Sequence, residues 1–213
     1  MAERPTGLLG EVKDFLKSLS LELPLVFKEQ AKPVPVPIPV KAAAPRQRAS
    51  SRRFPYKGQD LALCLIEAPE LKRSQVSHED DGLVLRRGAD RAAPQAVLRD
   101  WLRERARETF AERAEHWAAK LGVRYKRISI RDQKTVWGSC TRGGDLSFNW
   151  RVIMAPPETL DYLVIHELSH LHEMNHSKKF WAHVAGQCPE WKAHRRWLRD
   201  HAARLKSSIR RAS

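Results

Sequence analysis

The residues with the densest chemistry are His166, Glu167, His170 and His176, in the run H-E-L-S-H-L-H-E-M-N-H that spans residues 166–176. On a helix, imidazoles at positions i and i+4 stand one turn apart on the same face, so His166 and His170 can close on one ion. A hydrolytic zinc site takes three protein ligands and leaves its fourth position to water. Glu167 follows the first histidine directly, and in H-E-x-x-H that position sets the carboxylate beside the water that zinc activates, not on the metal. The expected chemistry is metal-assisted hydrolysis, with zinc polarising a carbonyl and Glu167 as general base, passing the proton on to the leaving amine.

His176 is the candidate third ligand, because it completes the histidine spacing of the extended metzincin pattern. Glu173 stands where that pattern has glycine, so the turn returning His176 must be built differently; Asn175, which tolerates a left-handed conformation, is one way to do it. Glu190 is the competing third ligand, since some zinc hydrolases draw a carboxylate from a later helix, although Pro189 places it in a loop or first turn. His172 points about 160° away from His170 on a helix and is read as a surface or packing residue. Glu173 is either a partner orienting an imidazole or a solvated glutamate. Tyr162, one turn before His166, is a candidate for oxyanion stabilisation, with simple packing the alternative. Cys140 paired with a histidine would be a nucleophile, but the histidines have a better use in a metal site.

These side chains need a frame. Pro156-Pro157 suit a helix start, Glu158 complements the positive end of its dipole, and Leu160, Leu163, Val164, Leu168 and Leu171 form an apolar stripe away from the two histidines. That helix is expected to be buried on one side and functional on the other. Ahead of it, 125–130 and 146–154 read as strands, the latter alternating around a Gly143-Gly144-Asp145 turn, and 137–140 reads as a tight turn. The second of these strands is a candidate edge for holding a substrate backbone, or else an ordinary central strand. Residues 94–121 form a long helix capped by Gly122. Residues 61–66 and 83–85 are expected to pair antiparallel, with Asp80-Asp81-Gly82 as turn chemistry. Beyond the motif, Phe180, Trp181, Val184, Trp191, Trp197 and Leu198 supply the core of a C-terminal helical subdomain.

The 213 residues carry 39 lysines and arginines against 25 acidic residues, a formal charge of +14, so the surface should attract polyanions. A nucleic acid contacted through the basic surface is therefore carried as a possible partner beside a protein or peptide substrate, and the basic positions of 192–211 are candidates for it. Three widely spaced cysteines with no C-x-x-C pair imply neither a disulfide framework nor a cysteine zinc cluster, and a cytoplasmic setting is expected. No apolar run reaches membrane-spanning length, so no membrane partner is expected. Val12, Phe15, Leu16 and Leu19 recur at helical spacing, and a proline-rich stretch follows. Residues 1–53 are thus an expected disordered arm, 54–207 the folded domain and 208–213 a basic tail.

The run from Trp137 to Trp181, with W-G-S-C, L-S-F-N-W-R and D-Y-L-V-I-H-E-L-S-H-L-H-E-M-N-H-S-K-K-F-W, resembles the YgjP-like zinc metallopeptidases. The resemblance is strong over the C-terminal half, weak back to Phe54 and absent from the proline-rich arm. It implies an α+β, zincin-like fold: a small mixed or antiparallel sheet, an active-site helix and a C-terminal helical subdomain. It also implies one zinc ion on His166, His170 and His176, with Glu167 as base. The pattern is similar to that of Spartan and Wss1-type proteases, which act on proteins crosslinked to DNA, an analogy in keeping with the basic charge. The alternative is a nucleic-acid-associated binding protein with a zinc site and little or no proteolysis. Structural zinc sites, however, are usually closed by four protein ligands.

Overall fold

The computed structural model describes residues 53–80 and 82–209. The helical spacing at Val12 to Leu19, the proline-rich arm through residue 52, Asp81 and the last four residues of the expected tail lie outside the described residues. Of that tail, Ile209 is buried in the core.

Two small mixed sheets and a set of helices give the α+β class expected. The first sheet holds β1 (Arg53–Tyr56), β2 (Gln59–Glu67), β3 (Gln75–Glu79) and β4 (Gly82–Arg87) in the order β1-β2-β4-β3. Lys57 and Gly58, with φ of 47° and 79°, make the two-residue turn between β1 and β2, whose positive dihedrals match the twist of a hairpin. The expected antiparallel pairing of 61–66 with 83–85 is corrected: β2 and β4 run parallel, with Leu63 opposite Leu83. The strand antiparallel to β4 is β3, with Glu79 opposite Gly82. Its sequence, Gln-Val-Ser-His-Glu, hides it, because an edge strand facing water needs little apolar content.

Helix α1 (Pro94–Leu121) has the bounds expected, with proline in its first turn and Gly122 left-handed as its cap. It buries Leu98, Leu102, Ala106, Phe110, Ala114 and Ala118, an i, i+4 stripe whose alanines let the helix approach closely. The second sheet follows: β5 (Arg127–Arg131), β6 (Gly138–Cys140) and β7 (Asp145–Asn149), ordered β5-β7-β6, with β7 parallel to β5 and antiparallel to β6. Two expectations change here. Residues 137–140 are not a tight turn, since 138–140 form an edge strand. The strand expected over 146–154 stops at Asn149, and Trp150–Met154 is a 3-10 helix, opened by the Asn149 side chain accepting from the Arg151 amide. β7 is thus the central strand, not an edge. Phe110 and Phe148 stack with ring centroids 4.4 Å apart, joining α1 to β7.

The helix that carries the H-E-x-x-H motif, α2 (Pro157–Ser169), is followed by α3 (Lys178–Gln187), α4 (Trp191–Asp200) and α5 (Ala202–Ser207). These three carry Phe180, Val184, Leu198 and Leu205 into the core, as a C-terminal helical subdomain requires. Among the described residues no helix is long and apolar enough to cross a membrane.

Candidate metal centre

Pro157 occupies the first turn of α2, as its fixed φ favours, and Glu158 lies in the same turn. A bidentate ion pair between Arg113 of α1 and Asp161 fixes the helix from its side. Burial is wider than the one-sided pattern expected: Tyr162, Ile165, Glu167 and Ser169 are buried together with the leucine stripe. The helix therefore runs through the core, and its chemical face is half enclosed as well.

The helix ends at Ser169, so that His170, still right-handed at φ −64°, is its C-cap. Main-chain bonds from the amides of Leu171 to Leu168 O, and of His172 and Glu173 to Ser169 O, fold the following segment back. Asn175 is not left-handed, contrary to expectation; its Oδ1 accepts from the Ser177 amide at 3.0 Å, and that side-chain turn stands in for a left-handed residue. Ser177 then caps α3 through the Phe180 amide.

That turn brings His176 to the other two histidines. The ring centroids of His166, His170 and His176 are 5.1, 5.0 and 4.9 Å apart pairwise, and one nitrogen from each lies within 4.8 Å of the others. His166 Nε2 and His176 Nε2 are 3.1 Å apart. His170 donates from Nδ1 to the main-chain carbonyl of Glu173 at 3.3 Å, which leaves its Nε2 as the lone-pair nitrogen and fixes the ring. Glu173 thus orients a histidine, but through its backbone and not its carboxylate. Phe180, wholly buried, contacts all three imidazoles at 4.5–4.9 Å and floors the cluster; sequence reading placed it only in the core. A polar donor set over an apolar floor, with basic nitrogens turned toward one another, fits a divalent metal that favours imidazole.

Electrostatics agree with that fit. Burial, then the neighbouring His170 and His176, pushes the His166 pKa down to about 3, and burial lowers that of His170, so both offer free lone pairs at neutral pH. Glu167 is 4% exposed, makes no hydrogen bond among the described residues, and is raised by burial to about 8. A carboxylate so placed binds a proton avidly.

The remaining candidates separate. Glu190 is exposed at the N-cap of α4 and does not join the histidine cluster. His172 faces away, bonded to the Leu121 carbonyl at 3.0 Å and stacked on His183. Tyr162 is buried 5.9 Å from the His166 ring, its phenol pushed by burial to about 12. Cys140 is half-buried, and burial followed by the Glu167 charge raises its thiol to about 11, which disfavours a nucleophilic thiolate.

An H-E-x-x-H helix, a third histidine returned by a tight turn and a buried glutamate between the first two define a metallopeptidase-type centre. The comparison with known families agrees: the YgjP-like metallopeptidase domain matches residues 12–201, and the chain belongs to that family. The match begins inside the segment read as an arm. Among curated proteins nothing matches. Similar solved structures include the metallopeptidase zymogen of Pyrococcus abyssi abylysin, 26% identical, covering 43% of this chain and 93% of that one with a TM-score of 0.40. The metallopeptidase zymogen of Methanocaldococcus jannaschii jannalysin is 22% identical, with 39% and 90% covered and a TM-score of 0.35.

Proposed function

We propose that the protein is a zinc-dependent, zincin-type metallopeptidase in which His166, His170 and His176 hold one zinc ion and Glu167 is the general base. The observation that carries this reading is the convergence of His166, His170 and His176, one nitrogen from each within 4.8 Å of the others, on a motif whose glutamate is buried and makes no hydrogen bond among the described residues. Two of the imidazole nitrogens, 3.1 Å apart, are close enough to share one ion, and an all-imidazole set of three is one that zinc takes.

Zinc, when bound, would lower the pKa of a water toward about 7 and polarise the scissile carbonyl. Glu167 supplies the proton traffic: its carboxylate takes the proton from the attacking water and delivers it to the leaving amine. Burial gives it the basicity to accept that proton. The open side of β6, the edge strand beside α2, suits an extended polypeptide added as a further strand.

The test is zinc content together with cleavage of an unfolded protein such as casein. Wild type should carry one zinc per chain, lost in His176→Ala. Glu167→Gln should keep the zinc while turnover falls by about 10²–10⁴-fold, the usual worth of a general base. A zinc-free wild type, or full turnover by Glu167→Gln, would sink the reading.

A nucleic-acid-binding role is favoured by one observation: Lys192, Arg195 and Arg196 on α4 are exposed and carry no ion pair among the described residues. In that case affinity for single- or double-stranded DNA falls steeply with salt and ignores Glu167→Gln.

A further inference from the structure

Glu167 has no hydrogen-bond partner among the described residues, yet a base must hold its carboxylate within a fraction of an ångström of the productive place. Packing has to do what hydrogen bonding does not. The surface packed on it is Gly138, the first residue of β6: a Cβ there would stand 2.5 Å from Glu167 Oε1 and 2.9 Å from both Cδ and Cγ, closer than nonbonded atoms approach.

The backbone does not demand glycine at this position, since the φ of Gly138 is not positive. Nor can the strand readily withdraw. Gly138 pairs with Phe148, which is fully buried. The Asn149 amide donates to the Trp137 carbonyl at 2.8 Å, and the Asn149 side chain donates to the Gln133 carbonyl at 2.8 Å. Arg151, wholly buried, grips Asp132 at the start of the same loop, at 2.9 and 3.2 Å. On the other side, the backbone of Glu167 belongs to a helix enclosed by the core. With both backbones held, the movable part is the carboxylate.

We propose that Gly138 is a positioning residue for the base: the side chain it lacks leaves the slot in which the Glu167 carboxylate lies, and the Asn149–Arg151 segment clamps the wall of that slot. The proposal rests on the reading of Glu167 as general base. It gives the W-G-S-C and N-W-R motifs, which lie outside the metal-binding run, a shared task in the site.

Gly138→Ala is the variant to make, with Glu167→Asp and the double variant beside it, each loaded with zinc. Gly138→Ala should keep its zinc and its melting temperature, hold KM within about threefold and lose about 10- to 100-fold in kcat, the scale of an ångström misplacement. Its crystal structure should show the carboxylate displaced and β6 in place. Aspartate, one methylene shorter, relieves the clash, so Glu167→Asp should cost at least about fivefold less in the Gly138→Ala background than in wild type. Turnover within about twofold of wild type, an unmoved carboxylate, or loss of zinc or fold showing that the strand yielded instead would each overturn the proposal. Full turnover by Glu167→Gln would overturn the base reading alone, and the crystallographic displacement would still decide the slot.

Discussion

At the scale of single residues, the centre places one acid where burial alone sets its proton affinity. Glu167 is raised to about 8 in the folded chain, while an unfolded glutamate titrates near 4.5. Below about pH 4.5 both states are protonated and the side chain does not penalise folding. As pH rises from there through 8, the unfolded chain releases a proton that the native chain keeps, so native stability declines by about 1.4 kcal/mol per pH unit. Metal-free Glu167→Gln, which has no proton to lose, should therefore match metal-free wild type near pH 4.5. By pH 8.5 it should be the more stable by on the order of a few kcal/mol. Urea unfolding of both proteins across that range reads the difference, and parallel stability curves would refute it.

At the scale of elements, the third ligand depends on α3 as much as on the motif helix. Phe180 touches all three imidazoles from below, and Ser177 caps the helix that carries it. Phe180→Ala opens a cavity under the cluster and should destabilise the protein by about 3–5 kcal/mol. It should also loosen His176 more than His166, because His176 is held by a turn and His166 by a buried helix. Competition with a chelator would then show zinc released at least tenfold more readily, and unchanged zinc retention would remove Phe180 from the site. The elements also show why part of the fold escaped a reading of pattern. β3 and β6 are short edge strands with little apolar content, so neither carries the alternation that reveals β7.

At the scale of the whole molecule, Arg151 ties the second sheet to the C-terminal end of the domain. Its guanidinium pairs with Asp132 and donates to the carbonyls of Leu205, Lys206 and Ile209 at 2.9–3.2 Å, with none of its side chain exposed. Removing a buried cation strands its acceptors, so Arg151→Met should cost about 3–5 kcal/mol, visible as a lower urea midpoint. A loss under about 1 kcal/mol would mean that these bonds do not hold the domain end. In the sequence this residue falls within the strand expected over 146–154. It became a buried clasp because the chain leaves strand geometry at Trp150, a change decided by the Asn149 cap and by the helix packed against it.

What the sequence determined by itself is whatever short covalent spacing enforces. The i, i+4 histidines, the glutamate between them, Pro157 at a helix start and Gly122 at a helix end act within one or two turns of their own backbone, so local geometry settles them. Tertiary structure decided the rest. Strand order, the parallel pairing of β2 with β4 and the central place of β7 follow from which faces found partners, and Phe180 and Gly138 enter the site from elements outside the H-E-x-x-H helix. A glycine has no side chain through which to announce a role. Its meaning here lies in the carboxylate that packing brings against it, and that contact exists only once α2 and the second sheet have come together.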